Sequence, residues 1–301
     1  TFSALPLEGV AEGQKVTLKY GGTRKVKSIT ATLEAPVPEG AIKGKFTVNA
    51  DGKQVHFAKG NLQATYYDAD WSDGTPGTWT WAFAANQWDY IGGAEYNTST
   101  TEWSGTKTGN NFINGDGKMS ENGTVDLFGW STYGTKYGIH NSENILDYSD
   151  EFVDWGRTIG TGWRTLSKDE WDYLFNKRQN AKQLYSKGNV DGLRGMILLP
   201  DDWVLPSGLH FTAQPTNLTM KLDINTYTQA EWQRMEEAGA VFFCPTGRRD
   251  QTTIGYLDYY GCYWSRSRTA DGIHTCHMYF NYSSHIFMTD YKSGDYSYGT
   301  N

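Results

Sequence analysis

The sequence predicts an α+β fold built on antiparallel strands, two helices and long loops. Three observations carry this. Strands with period-two alternation stand near the start of the chain, in VKSITATL (26–33) and TWTWAFA (78–84). Two Ser/Thr-x-x-Glu capping boxes, Ser167 to Glu170 and Thr228 to Glu231, each open an amphipathic stretch. The regular strand–helix alternation that marks a parallel α/β sheet is missing.

Taken in order, VTLKY (16–20) and VKSITATL form a hairpin through Gly21-Gly22-Thr23, and Pro36 and Pro38 then interrupt pairing. Residues 1–45 hold too few large apolar side chains for a core of their own. They are expected to be a small all-β segment, the tail of a preceding β-sandwich or strands docked on the main domain, which runs from 46 to 301. KFTV (45–48) and VHFAKG (55–60) make a second hairpin, turning through Asn49-Ala50-Asp51-Gly52. Residues 86–162 read mostly as loop, with DLFGW (126–130) as a compact apolar point. After Ser167, Trp171, Leu174 and Phe175 share one helical face; after Thr228, Trp232 and Met235 do the same before Gly239. GMILLPDDW (195–203) and AGAVFFCP (238–245) read as buried strands. The chain begins at Thr1 without Met, so a longer precursor is expected.

Composition narrows the function. Aromatic residues make up 15% of the chain, with 12 Trp and 20 Tyr, while charged residues are only 20%. A net charge of -7 argues against nucleic acid, whose binders carry basic stripes. No apolar run approaches the ~18 residues needed to span a membrane. The last quarter turns into YFNYSSHIFMTDYKSGDYSYGTN (279–301), rich in Tyr, Ser, Asn, His and Asp. Tyr, Ser and Asn suit adaptable recognition, because Tyr brings contact area at low entropic cost.

GWRTLSKDEW (162–171) and GCYWSRS (261–267) carry a resemblance. The first resembles the GW-R/H-x-P/L-S/T-x-x-EW segment of the bacterial major paralogous domain family (FISUMP), the second that family's G-x-Y/F-W-S-S/T segment. KGNLQ (59–63), FAANQWDYIG (83–92), ILLPDDW (197–203) and AGAVFFCPTGRR (238–249) are similar to segments of a broader group of anaerobe surface proteins. The resemblance covers about 46–301. It implies a C-type-lectin-like fold: a twisted antiparallel sheet flanked by two helices, with long loops forming a ligand surface. It also implies an extracellular, outer-membrane surface-anchored adhesin, some relatives standing at pilus tips. Two departures are visible. Cys262 stands where the family has an aromatic, and the chain ends at Tyr298-Gly299-Thr300-Asn301, where an S/N-V-R-x-V strand is expected. A missing last strand is expected to leave a sheet edge for a partner's strand, so an envelope or pilus subunit is the alternative reading.

Candidate chemistry is sparse. Formylglycine-generating activity, borrowed from distant relatives of the fold, needs closely spaced reactive cysteines or a copper site. Cys262 and Cys276 stand fourteen residues apart, and spacing leaves open whether they pair. In His274-Thr275-Cys276-His277 the first and third residues share a strand face and His277 points away, so the run is a poor metal clip. It reads instead as a strand with exposed His and one buried Cys. Asp68-Ala69-Asp70-Trp71-Ser72-Asp73-Gly74 has the flavour of a calcium loop but places its Gly one position late and lacks the closing Glu. No cofactor is expected, calcium being the single one left open; Asp201-Asp202 is a second such pair, more naturally a turn cap. No catalytic residue is assigned. The expectation is a non-catalytic binding module for a host or microbial surface glycan or protein. Its contacts would be Arg266, Arg268, His274, His277, Asn281, Tyr282, His285 and Tyr291, with Trp264 in the core. Exposed rings are expected at Trp71, Trp103, Tyr133, Tyr137 and Tyr296 as well.

Overall fold

The structure, a computed structural model, describes residues 15–18, 29–32, 36–97, 99–104, 108–112, 119–131, 151–213, 224–250, 253–270, 275–281 and 287–290. It is mixed α+β: mostly strands in open sheets, with two short α-helices. The chain divides into two units, Thr1–Glu39 and Gly40–Asn301. In the first, β1 (Lys15–Leu18) pairs antiparallel with β2 (Ile29–Thr32), Leu18 opposite Ile29. The turn expected at Gly21-Gly22-Thr23 lies outside the described residues. The boundary falls before Gly40 rather than after residue 45. Ala41 bridges to Ala58 and the Ile42 N–H donates to the Phe57 carbonyl at 2.8 Å, so this segment is part of the larger unit's core.

In the larger unit, β3 (Phe46–Thr47) and β4 (Gln54–Val55) form the expected hairpin. Its turn is closed by the Lys53 N–H donating to Asn49 Oδ1 at 2.8 Å, and Gly52 supplies the positive φ of 77° that the reversal needs. β5 (Leu62–Tyr67) and β6 (Thr78–Phe83) follow. In β6, Trp79, Trp81 and Phe83 alternate with exposed Thr78, Thr80 and Ala82, as the sequence predicts. β5 is a strand the sequence reading missed. β7 (Glu95–Asn97) pairs with β8 (Glu102–Ser104), and β9 (Gly123–Val125) joins β5, giving the sheet order β6-β5-β9.

Helix α1 (Lys168–Asp172) is capped as expected: Ser167 Oγ accepts from the Glu170 N–H at 3.2 Å, and Glu170 Oε2 from the Ser167 N–H at 2.8 Å. It widens into a single π-turn over Tyr173–Lys177, closed by the Arg178 N–H on the Tyr173 carbonyl at 2.9 Å. β10 (Tyr185–Val190), β11 (Leu193–Leu198) and β12 (Thr226–Tyr227) precede helix α2 (Gln229–Glu237), which Thr228 caps in the same way. β13 (Val241–Phe243) completes a sheet of order β12-β10-β11-β13, antiparallel except for the β12–β10 pair.

Both faces of this sheet are covered, which explains its unbroken apolar runs. Met196, Leu198, Val241 and Phe243 pack with Trp171, Leu174 and Phe175 after the first cap. The alternate residues Ile197 and Phe242, continued by Leu199 and Cys244, pack under Trp232 and Met235 of α2. Each such side chain contributes about 1.5–3 kcal/mol by leaving water, so the two-faced sheet is the main stabilising layer.

The chain then forms the hairpin β14 (Arg248–Asp250) and β15 (Thr253–Gly255), and the antiparallel meander β16 (Tyr260–Arg268), β17 (Thr275–Asn281) and β18 (Phe287–Asp290). Residues opposite one another share a face. Tyr263, Met278 and Phe280 therefore face the main apolar core, while Tyr260, Cys262, Trp264, His277, Tyr279 and Asn281 occupy the other side, where Cys262, Trp264, His277 and Asn281 are buried too. Gly261 is forced: a Cβ there would lie 2.0 Å from the Phe280 ring. Cys276 shares the core face with its strand neighbours Met278 and Phe280, so it cannot bridge to Cys262 on the other. Cys244, Cys262 and Cys276 are buried, and none is in a disulfide. Three indole N–H groups fasten β16 in place: Trp130 donates to the Ser265 carbonyl at 2.8 Å, Trp264 to that of Phe128 at 2.9 Å and Trp171 to that of Trp264 at 3.3 Å. Trp264 is core, as expected. Among the described residues no helix is long and apolar enough to cross a membrane.

Candidate functional site

The residues named from sequence scatter. Arg266 is exposed, its Nη2 3.8 Å from Glu170 Oε2. Arg268 is half-buried and lies over the Trp130 ring, 5.1 Å from its centroid. His274, Tyr282, His285 and Tyr291 lie outside the described residues, as do Tyr133, Tyr137, Tyr296 and the Trp103 side chain. Trp71 is exposed as expected.

Two assignments need correction. His277 is only 6% exposed, because the β16–β17 register places it directly opposite Trp264, edge-on to that indole. Burial, reinforced by the nearby Arg248 charge, pushes its pKa down to about 4. It is a neutral core imidazole, not a surface contact. Asn281 is likewise buried and spends its Nδ2 on the Tyr279 hydroxyl at 2.7 Å.

What the fold does gather at the Asn281 end of this face was not singled out from sequence. Tyr256 and Asp258 sit in the tight turn between β15 and β16, both left-handed, with φ of 62° and 57°. The Tyr256 carbonyl accepts from the N–H groups of Tyr259 (3.1 Å) and Tyr260 (3.0 Å), which locks the turn. A bulky residue in this region costs about 1–2 kcal/mol, and such strain concentrates at functional sites. Tyr256 is nevertheless 44% exposed. Its ring stacks on Tyr260, centroids 4.3 Å apart and planes 19° from parallel. The Arg248 guanidinium carbon is 4.7 Å from the Tyr256 centroid and 5.8 Å from that of Tyr260. Tyr259 and Tyr279 pack on the same Tyr260 ring at 4.8 and 5.0 Å. Asp258 is exposed, held by the Tyr90 hydroxyl donating to Oδ1 and by its own N–H on the Pro245 carbonyl at 3.0 Å.

The neighbouring arginine anchors this platform. Strand alternation sends Arg249 inward, where it is 1% exposed and its Nη2 donates to the Asn110 carbonyl at 3.4 Å. Burial lowers its pKa to about 10, opposed by the charge of Asp126. Asp126, raised to about 6 by burial, accepts from Asn110 Nδ2 at 2.8 Å and from the Ile91 N–H at 2.7 Å. The β14–β15 hairpin is thus tied to the loops at 91 and 110. The one signal in sequence was the run GYLDYYG (255–261), three tyrosines and an acid between two glycines.

The other constellations are structural. Arg164 grips Glu170 with two 2.7 Å bonds, which accounts for the Arg and Glu of GWRTLSKDEW. Asp201 Oδ2 accepts from the Thr47 N–H and hydroxyl and from Gln54 Nε2, while its Oδ1 pairs with buried Arg178 at 3.0 Å, so it staples β3–β4 to the core. Asp68, Asp70 and Asp73 accept from the N–H groups of Asp70, Ser72 and Thr75, a chain of side-chain-capped turns. Among the described residues no group of three or more His, Cys, Asp or Glu is placed to hold a metal ion. Burial raises the Cys244 thiol well above its ordinary pKa and Cys262 to about 12, the opposite of a reactive thiolate. Comparison of the chain with protein-family models, with curated proteins and with solved structures finds no match.

Proposed function

We propose that this chain is a non-catalytic binding module of a bacterial cell-surface protein, C-type-lectin-like in fold, which takes a surface glycan or protein. The observation that carries the reading is the turn at Tyr256, whose left-handed backbone holds an exposed ring beside a guanidinium, with Asp258 exposed two residues on. Rigid aromatic and arginine anchors of this kind dominate recognition surfaces. The mixed α+β architecture with two short helices supports the fold reading. The protonated, buried thiols favour binding over thiol chemistry. Arg266, exposed beyond the platform, is a secondary contact.

The test is capture of cell-surface extracts and arrayed glycans by the whole chain, with and without calcium, against Tyr256→Asn and Arg266→Ala. Capture that falls in Tyr256→Asn while the melting temperature stays within a few degrees supports the proposal. Equal capture by wild type and Tyr256→Asn overturns it.

A further inference from the structure

We infer that the Tyr256 platform takes a neutral pyranose residue of a glycan; this rests on the binding reading above and names its ligand. The other exposed large apolar residues, Val37, Tyr67, Trp71, Val204 and Leu205, belong to other segments of the chain. Among the described residues the platform offers one ring, whereas a stable protein interface needs about 800 Å² from each partner with an apolar centre. One ring matches one sugar.

A pyranose has an apolar C–H face and a fringe of hydroxyls, each both donor and acceptor. The Tyr256 ring, fixed against Tyr260 at 4.3 Å, supplies a flat partner for the C–H face. Asp258, two residues on in the same turn, supplies an acceptor, and Arg248, 4.7 Å from the Tyr256 centroid, supplies donors. A carboxylate accepts from hydroxyls and a guanidinium donates to them, so groups of both kinds suit a polyol. The charges of Arg248 and Asp258 offset one another here while the chain as a whole carries -7, which favours a neutral sugar over an acidic one.

The experiment uses saturation-transfer NMR on the whole chain with methyl glycosides of neutral hexoses and N-acetylhexosamines, and in a second arm with sialic and glucuronic acid. The expected result is transfer to at least one neutral sugar and to neither acid. Tyr256→Asn should weaken the neutral sugar about tenfold, Asp258→Asn several-fold, and Tyr256→Phe should keep it. Transfer to the acids alone, or to no sugar, overturns the inference. Extract capture that needs Tyr256 but survives periodate oxidation of the extract and is lost on protease treatment also overturns it, and leaves the binding reading standing. Capture indifferent to Tyr256 removes both.

Discussion

Replacing Tyr256 by Asn, Gly and Ala in parallel separates what its ring does from what its backbone costs. All three remove the ring. Losing the 4.3 Å stack on Tyr260 costs about 0.5–1.5 kcal/mol, and losing the Arg248 contact at 4.7 Å about 0.5–1 kcal/mol more at so exposed a site. The backbone effects differ. At φ of 62° Ala keeps the left-handed penalty of about 1–2 kcal/mol, Gly escapes it, and Asn escapes part of it through its local hydrogen bonding. Gly gives back about 0.5–1 kcal/mol through the greater freedom of its unfolded chain. The expected order of stability is therefore Asn and Gly close together, within about 1 kcal/mol of wild type, and Ala lower than both by about 0.5–1 kcal/mol. Urea unfolding with a common slope reads these differences directly. A buried control, Trp264→Ala, should cost about 3–5 kcal/mol. If Tyr256→Asn loses as much as the control, the ring is core and not platform. If Ala matches or exceeds Asn, the left-handed strain is absent and the functional argument built on it fails.

Three further outcomes are expected. Burial pushes the Glu170 carboxyl up, but bonds from Arg164 and the Ser167 N–H, with the charges of Arg164 and Arg266, outweigh it and leave the pKa below its ordinary value. Its contribution is present above the unfolded value of about 4.3 and is lost as pH falls through the depressed folded value. Glu170→Gln should thus cost about 1.5–3 kcal/mol in denaturant melts at pH 7 and much less at pH 3, and a penalty that does not change with pH would refute this. Gly261→Ala drives a methyl into Phe280 and should cost about 1–3 kcal/mol or prevent folding, yet add little in a Phe280→Ala background, as a double-mutant cycle would read. Cys244, Cys262 and Cys276 should resist a thiol reagent in the native protein and all react in denaturant; rapid native labelling of any one contradicts its burial.

What the sequence determined was local. A capping box needs only residues three apart, so Ser167 with Glu170 and Thr228 with Glu231 announced both helices, and the inward tryptophans Trp171 and Trp232 followed from helical period. The hairpin around Asn49 to Gly52 and the alternation of Trp79, Trp81 and Phe83 were legible for the same reason. Tertiary structure decided the rest. Period two says that His277 and Cys276 face opposite ways, but only the fold shows that both sides of β17 are covered, His277 lying against Trp264. Composition drew attention to the tyrosines beyond 279. The platform formed earlier, at Tyr256, because a left-handed backbone at a tyrosine has no signature in sequence: it exists only while Pro245, Tyr90 and the β16 start hold the turn closed. Strain is a property of a fold, paid for by contacts far along the chain, and a residue list does not contain it.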